Sequence, residues 1–159
     1  MKNTKISIGL SNEQLKTSTD ILSTVLADEF TLYTKTRKFH WNVAGESFME
    51  LHKLFEDQYK EIEEVIDEVA ERIGKLGSST IGTMSQFLEI TRLKESPSEY
   101  PARMKMIEEL LADNETIIKS IRKDVEECDE SGDAGTTDFL TAIMKQHETI
   151  AWTLRRYLK

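Results

Sequence analysis

The sequence predicts an all-α protein built as a bundle of four long helices. Apolar residues recur at helical spacing in four separate segments, and no segment shows the strict alternation of a half-buried strand. The 159 residues include only 2 prolines and 7 glycines, which argues against a turn-rich all-β class. At this length we expect one domain, spanning residues 1–159, with residues 1–10 as a short N-terminal tail.

The first two predicted helices, A and B, carry start and stop signals. Ser11 followed by Gln14 is a capping-box pattern at the start of helix A, and Ser47 followed by Glu50 predicts a second box at the start of helix B. Gly74 and Gly77 are expected to mark the end of helix B. Between these signals, helix B has the most regular apolar stripe of the chain, formed by Phe48, Leu51, Phe55, Tyr59, Ile62, Ile66, Val69, Ile73 and Leu76.

A long connection separates helix B from helix C. Residues 78–100 are irregular, with one apolar cluster around Phe87 that predicts a single short helix. A connection of about twenty residues can run the length of a bundle, so helices B and C could point the same way. Pro101 fits the first turn of helix C. On the stripes of helices C and D, Asn114 is expected to have a hydrogen-bond partner and His147 to be packed in the bundle.

Composition and charge argue against several classes of protein. The formal net charge of −8 argues against a constitutive nucleic-acid binder. The single cysteine, Cys128, excludes an internal disulfide framework and a cysteine-cluster zinc site, and its place on a stripe predicts burial. No stretch approaches the roughly 18 apolar residues of a membrane span. Because residues 1–7 lack the apolar core of a signal peptide, a cytoplasmic location is expected.

One face of helix B combines imidazole with carboxylates, the ligand types that suit iron or manganese. The members of this face are His52, Glu56, Glu63, Asp67 and Glu71. His52 and Glu56 could point at one ion because they are spaced i and i+4, and Asp67 and Glu71 could do the same. The plainer alternative is a solvated acidic face.

Distance prevents one copy of helix B from completing such a site. His52 and Asp67 are fifteen residues apart, about 22 Å along a helix that rises roughly 1.5 Å per residue. Two copies of helix B running antiparallel across a two-fold axis would bring the two pairs together, twice per dimer. The usual di-iron pattern within one bundle needs Glu-x-x-His, which occurs nowhere in the chain. If the chain is an iron protein, its site is therefore expected between subunits. Without a partner chain, the two pairs would be unrelated surface clusters.

Three segments give the chain a resemblance to the Dps family of miniferritins. They are Lys38-Phe39-His40-Trp41-Asn42-Val43-x-Gly45, Phe48-x-x-Leu51-His52-x-x-Phe55-Glu56-x-x-Tyr59 and Asp67-x-x-Ala70-Glu71-Arg72-Ile73. The resemblance implies a ferritin-like four-helix bundle with a short extra helix in the B–C connection, assembled as a hollow homo-dodecamer. It also implies a ferroxidase that oxidises Fe(II) to Fe(III), preferably with hydrogen peroxide, stores ferric mineral and protects DNA from oxidative damage.

The same resemblance implies roles for individual residues. The implied iron ligands are His40, His52 and Glu56 from one subunit, with Asp67 and Glu71 from its two-fold partner. Trp41, beside His40, would either intercept stray oxidising equivalents or pack at the interface.

The acidic turn after helix C is similar to the segment that lines the three-fold pores of Dps dodecamers. Copies of Asp129 and Asp138 would ring each pore and attract Fe(II), as acidic rings attract cations in channels. The alternative is an ordinary capped loop with exposed carboxylates.

A nucleoid DNA-binding protein with incidental iron binding is the alternative function, and an adaptor bundle without chemistry is a third. The basic residues at the chain ends are Lys2, Lys5, Arg155, Arg156 and Lys159. Those at the end of helix D can equally serve to stabilise the helix dipole, which needs positive charge at the C-terminus, rather than to bind DNA. Twelve subunits of charge −8 would carry about −96, which repels phosphate. DNA binding is therefore expected to be weak or absent near neutral pH, although an association with the bacterial nucleoid stays open.

Overall fold

Five helices occupy the part of the chain that the structure describes, residues 6–97 and 100–159, and no β-strand occurs there. In this computed structural model the helices are α1 (Asn12–Asn42), α2 (Phe48–Lys75), α3 (Met84–Ile90), α4 (Arg103–Glu130) and α5 (Ala134–Tyr157). They confirm the all-α fold: predicted helices A to D are α1, α2, α4 and α5, and α3 is the predicted short helix. Within those ranges, none of the helices has both the length and the hydropathy for crossing a bilayer. Lys2 and Lys5 lie outside the described residues.

The long helices pair as two hairpins, α1 with α2 and α4 with α5, and α1 also packs on α3 and α4. Near the start of α1, Gln14 donates a 2.6 Å hydrogen bond to the carbonyl of Ser131, just after α4. In the last turn of α2, Arg72 pairs with Asp133, the N-cap of α5, at 3.3 Å. The ends of α2 and α4 therefore lie at the same end of the bundle, so these two helices point the same way, as the long connection permits.

The apolar stripes of the long helices meet in one core. Its largest fully buried side chains are Leu22, Leu26, Leu32, Phe39, Leu51, Phe55, Ile62, Ile73, Met106, Ile107, Leu110 and Ile117. Burying one large aliphatic or aromatic side chain contributes roughly 1.5–3 kcal/mol. Packing of these stripes, more than helix propensity, therefore holds the bundle together.

Side-chain caps begin α1, α3 and α5 but not α2 or α4. The predicted capping box at Ser11 and Gln14 is present. The predicted box at Ser47 is wrong, because this residue adopts the left-handed conformation with φ 59° and ψ 23° and its side chain makes no cap hydrogen bond. A side-chain cap needs extended backbone, which the tight turn before α2 does not provide. Pro101 also lies just outside the helix that it was expected to start, since α4 begins at Arg103.

A glycine ends α2, as the sequence predicts. The amide of Ser78 bonds the carbonyl of Ile73 at 3.3 Å, and the amide of Gly77 bonds the carbonyl of Gly74 at 2.9 Å. This is the Schellman arrangement, with Gly77 at φ +85°. A Cβ at Gly77 would lie 2.3 Å from the side chain of Ile6. Backbone conformation and the packing of the N-terminal tail both require glycine here.

An aromatic stack and a shared guanidinium are among the contacts that attach the long connection to the bundle. Phe87 of α3 stacks on Phe30 of α1, with ring centroids 4.4 Å apart. Arg92 donates from Nε to the buried Asp28 of α1 at 2.6 Å and from NH1 to Asp124 of α4 at 2.8 Å. The connection therefore joins α1 to α4 through a guanidinium shared by two carboxylates.

The polar residues predicted on apolar stripes are buried. Asn114, Cys128 and His147 are each at most 1% exposed. The expected partner of Asn114 is the Nδ1 atom of His147, 2.8 Å away. Burial raises the pKa of the Cys128 thiol to about 11, so the thiol stays protonated at neutral pH. These side chains belong to the core of the bundle.

Candidate metal centre

The turn between α1 and α2 brings two histidines into contact. His40 lies in the last turn of α1, and His52 follows the first turn of α2. Their rings stack with centroids 3.8 Å apart and 19° between planes. His40 Nδ1 donates to the carbonyl oxygen of His52 at 2.7 Å, and His52 Nδ1 donates to the carbonyl oxygen of His40 at 2.9 Å. A reciprocal pair of hydrogen bonds therefore fixes both rings.

The reciprocal bonds decide which ring nitrogen can bind a metal. A carbonyl oxygen only accepts hydrogen bonds, so each Nδ1 must carry a proton. In the neutral imidazole, Nε2 then holds the free lone pair, and this is the form that binds metal ions. No residue in the described part of the chain forms a hydrogen bond with either Nε2. A carbonyl behind Nδ1 is a usual orienting partner of a metal-binding histidine.

Glu56 lies one turn beyond His52 on α2. Its carboxylate pairs with Lys60, and one of its oxygens lies 3.7 Å from the Nζ of Lys53. The hydrogen bond from Lys60 and the positive charges of Lys53 and Lys60 hold the pKa of Glu56 below its usual value. An ionised carboxylate therefore accompanies the histidine pair.

The structure does not bring the two distal carboxylates to the histidine pair. Asp67 and Glu71 are exposed and lie farther along the same uninterrupted helix. Asp67 borders an open acidic groove whose other lining residues are Glu63, Glu64 and Glu68. Across the described residues, no three His, Cys, Asp or Glu side chains form a group that could hold a metal ion. Within one chain, the predicted ligands therefore lie in two separate places.

An aromatic cluster that the sequence analysis does not identify lies behind the histidine pair. Tyr59 contacts His40 edge to face with centroids 5.2 Å apart, and Tyr33 contacts Tyr59 at 6.0 Å. The guanidinium of Arg37 lies over the rings of Tyr33, Tyr59 and Trp41. Trp41 itself is 66% exposed, so it does not pack in the core of its own chain. The four-residue spacing of Tyr33, Arg37 and Trp41 on one helix is the sequence signal for this cluster.

The acidic turn that joins α4 to α5, residues 129–138, contains one buried carboxylate, Asp133, and three exposed ones, Asp129, Glu130 and Asp138. Asp133 accepts hydrogen bonds from Ser18 Oγ at 2.7 Å and from the amide of Thr136 at 3.0 Å. Burial alone would raise the pKa of Asp133, but the hydrogen bonds from Thr136 and Ser18 outweigh it and hold the pKa below its usual value. Asp129 and Asp138, the residues predicted to line a pore, are exposed.

Comparison with known proteins identifies the family. Residues 19–159 match the family described as ferritin-like domain. The chain is 42% identical, over 98% of its length, to an uncharacterized low temperature-induced protein of Nostoc sp., 87% of which is covered. It is 37% identical, over 87% of its length, to DNA protection during starvation protein 2 of Bacillus anthracis, 94% of which is covered. This chain belongs to the Dps family of ferritin-like proteins.

Solved Dps structures share the fold of this Dps chain. DpsC from Streptomyces coelicolor superposes with a TM-score of 0.95 at 30% identity, covering 98% of this chain and 91% of that one. A Dps protein from Vibrio cholerae O1, described as a member of a broad superfamily of ferritin-like diiron-carboxylate proteins, gives a TM-score of 0.91 at 30% identity. That match covers 100% of this chain and 99% of the other. The resemblance to Dps proteins and the ferritin-like fold are thereby confirmed.

Proposed function

We propose that this Dps protein is a ferroxidase and iron store that protects DNA by removing Fe(II) and hydrogen peroxide together. The observation that carries the proposal is the histidine pair, in which His40 and His52 bond carbonyls through Nδ1 and keep Nε2 for a metal. Fe(II) is the substrate and ferric mineral is the stored product. The diiron-carboxylate description of the Vibrio cholerae protein supports iron as the metal.

Two subunits complete each centre in the proposed assembly. With the α2 helices of two subunits antiparallel, the histidine pair and Glu56 of one subunit face Asp67 and Glu71 of the other, and the two-fold axis repeats the site. Trp41 and Met49 lie near the histidine pair at the α1–α2 turn and are 66% and 73% exposed. Such large apolar side chains support a surface that a partner covers.

The proposed reaction moves two electrons from two Fe(II) to one hydrogen peroxide. Two Fe(II), one H₂O₂ and two protons give two Fe(III) and two H₂O, so no hydroxyl radical is released. Imidazole suits Fe(II), and the carboxylates stabilise Fe(III) by charge. Few protein ligands surround each centre, which leaves coordination positions for peroxide, the oxidant that we propose is preferred over oxygen.

The proposed assembly is a hollow dodecamer that holds the ferric mineral. The exposed Asp129 and Asp138 would ring its three-fold pores and attract Fe(II). Twelve subunits of charge −8 would repel DNA phosphate, so protection would be chemical rather than by tight binding to DNA. A cytoplasmic location is part of the same proposal.

A subunit-mixing experiment tests the shared centre. His52→Ala and Asp67→Ala are purified separately, and each is expected to lose most of its Fe(II) oxidation with peroxide. In a mixed antiparallel dimer, both lesions fall in one centre and the other centre is intact. Dissociating the two variants and reassembling them together should therefore restore about one quarter of the wild-type centres.

The matched control is Glu108→Ala, which removes an exposed carboxylate from α4. This variant protein should consume about two Fe(II) per peroxide, as the wild type should. Size-exclusion chromatography checks that each sample assembles. A mixture that assembles without regaining activity would contradict the shared centre. A wild type that consumes no peroxide with Fe(II) would contradict the ferroxidase function itself.

A further inference from the structure

The turn that joins α1 to α2 has little local stabilisation. Residues 44–50 are all exposed and lie between the buried Val43 and Leu51. Gly45 and Ser47 adopt the left-handed conformation, with φ values of 89° and 59°, which is unfavourable for serine. No side-chain cap begins α2. Contacts from elsewhere in the chain are therefore needed to fix this turn.

The geometry of the histidine pair depends on the same turn. His40 Nδ1 donates to the carbonyl of His52 at 2.7 Å, and His52 Nδ1 donates to the carbonyl of His40 at 2.9 Å. Because each ring bonds the backbone of the other helix, a shift of the start of α2 relative to α1 would lengthen both bonds at once. These bonds orient the two Nε2 atoms, so the position of the start of α2 decides where the metal-binding lone pairs point.

The last residue of α5, Tyr157, reaches the first turn of α2. Its hydroxyl donates a hydrogen bond to Oε1 of Glu50 at 2.7 Å. Glu50 belongs to that first turn and precedes His52 by two residues. Burial and the carboxylate of Glu50 raise the pKa of Tyr157 to about 12, so its hydroxyl keeps the proton that it donates at physiological pH. The end of α5 therefore fixes the start of α2.

Arg103, in the first turn of α4, makes a second contact with the turn. Its NH2 atom donates to Oε2 of Glu46 at 2.8 Å, and Glu46 lies between the two left-handed residues. The Glu46 side chain is 81% exposed, so water and salt weaken this ion pair. We therefore expect Arg103 to stabilise the turn less than Tyr157 does.

We propose that Tyr157, through Glu50, is a positioning residue of the iron centre, and that Arg103, through Glu46, is a second and weaker one. This inference rests on the proposed ferroxidase function. Neither residue is among the proposed iron ligands, and both come from the hairpin that does not contain His40 and His52. Their role is to keep the two Nε2 atoms in the geometry for binding before Fe(II) arrives, since ligands held in place by their supporting contacts bind a metal more tightly.

Titration with Co(II) in the absence of oxidant tests the role of Tyr157 apart from iron oxidation. Co(II) binds the same kinds of nitrogen and oxygen ligands as Fe(II), and its visible absorption reports the ligand geometry. Tyr157→Phe and Glu50→Leu should each weaken Co(II) binding severalfold and change the spectrum. Glu50→Gln should bind as the wild type does, because its amide oxygen still accepts from the Tyr157 hydroxyl. The matched control is Tyr100→Phe, which removes the hydroxyl of a tyrosine that is 69% exposed.

Salt dependence separates the two positioning residues. Arg103→Met should weaken Co(II) binding at roughly 0.01 M salt and much less at about 0.15 M, where screening already weakens the exposed ion pair. The loss in Tyr157→Phe should persist at both concentrations. Arg155→Met is the matched control, because it removes an exposed pair of the same 2.8 Å length, with Glu115, that does not reach the turn. Arg155→Met should bind Co(II) as the wild type does at either concentration.

Steady-state Fe(II) oxidation with peroxide provides a readout that general destabilisation would not give. The KM for Fe(II) should rise severalfold in Tyr157→Phe while kcat changes little, and Glu50→Gln should keep both at wild-type values. Size-exclusion chromatography checks assembly, and if Tyr157→Phe does not assemble, Glu50→Leu against Glu50→Gln decides.

The outcomes distinguish the two proposals. If wild-type protein oxidises Fe(II) but Glu50→Leu binds Co(II) with wild-type affinity and spectrum, the positioning role of Tyr157 is wrong and the ferroxidase stands. The same conclusion follows if Glu50→Gln loses as much affinity as Glu50→Leu, or if Tyr100→Phe loses as much as Tyr157→Phe. If wild-type protein neither binds Co(II) nor oxidises Fe(II), the ferroxidase proposal fails and the positioning role with it.

Discussion

Two regions of the molecule combine histidine with carboxylate, and they differ in how many ring nitrogens already have partners. In the core, the Nε2 of His147 lies 2.7 Å from Oε1 of Glu29, and its Nδ1 lies 2.8 Å from Oδ1 of Asn114. At the α1–α2 turn, His40 and His52 use only Nδ1. The core histidine has both nitrogens occupied, whereas each turn histidine keeps one for a ligand.

The difference follows from what surrounds each ring. The amide of Asn114 donates to the carbonyl of Leu110 at 2.7 Å, so its Oδ1 accepts from His147, whose remaining nitrogen faces Glu29. Glu29 is 0% exposed, and its second oxygen, Oε2, is buried without a partner in the described structure. A buried carboxylate needs its partners because water cannot replace them. The core triad of Glu29, Asn114 and His147 is therefore structural, whereas at the turn the Nε2 atoms of His40 and His52 have no hydrogen-bond partner among the described residues.

Breaking the core triad should have the largest effect. His147→Ala should lower the free energy of unfolding by about 3–5 kcal/mol, because it leaves Glu29 buried without its partner. Iron oxidation per folded subunit should be retained, since the triad does not reach the metal centre. Urea unfolding at one fixed protein concentration measures the stability, because assembly makes it concentration-dependent.

Two variants sharpen this prediction. His52→Ala, at the turn, should lower the free energy of unfolding by only about 1 kcal/mol, because it removes one hydrogen bond, from His52 Nδ1 to the carbonyl of His40, that water can replace. Replacing both core partners, Glu29→Leu with His147→Leu, should recover much of the stability lost in the single variant, as apolar replacements of buried pairs often do. If His147→Ala proved no more destabilising than His52→Ala, the contrast between the two regions would be wrong.

Part of this contrast can be predicted from the sequence. His147 and Asn114 fall on apolar stripes, so their burial follows from helical periodicity. The burial of Glu29 cannot be predicted from periodicity, because glutamate is almost never fully buried unless it is paired. The partner of Glu29 is His147, which is 118 residues away in the sequence. Periodicity places a residue on a helix face, but a long-range pair depends on how two helices meet.

The candidate metal centre is also only partly predictable from the sequence. Residue spacing and the family resemblance identify His40 and His52, but not their stacking or their reciprocal bonds to carbonyls. Those depend on the turn between α1 and α2, where Gly45 and Ser47 have φ values of 89° and 59°. The capping-box pattern at Ser47 predicts a different conformation there, so local sequence alone is misleading at the turn that builds the site. The pairing with a second subunit stays a prediction, because it depends on another copy of the chain.

The next largest effect on stability is expected in the acidic turn. Asp133 is buried there, as the side chains of the core triad are. Asp133→Ala should lower the free energy of unfolding by about 1–2 kcal/mol, because it removes the N-cap of α5. The pKa of Asp133 is lower in the folded protein than usual, so its contribution is complete above about pH 4 and is lost as pH falls through the folded pKa. Urea unfolding at stepped pH should show this acid loss in the wild type and less of it in Asp133→Asn. Equal stability of Asp133→Ala and wild type at pH 7 would contradict the capping role.

The smallest effect on stability is expected from the exposed carboxylates of the same turn. Asp129→Asn with Asp138→Asn should change the free energy of unfolding by no more than about 0.5 kcal/mol, because both side chains are exposed. Iron uptake should nevertheless slow severalfold at low salt, since the negative charge that we propose attracts Fe(II) is gone. The difference from wild type should shrink as the screening length falls from about 30 Å at 0.01 M to about 8 Å at 0.15 M salt. Stopped-flow Fe(II) oxidation at both salt concentrations measures this difference, and Glu108→Gln, which removes one exposed carboxylate outside the acidic turn, is the control. If the variant and the wild type oxidise Fe(II) at equal rates at low salt, the pore role is wrong, and Asp129 and Asp138 are ordinary exposed carboxylates of a capped turn.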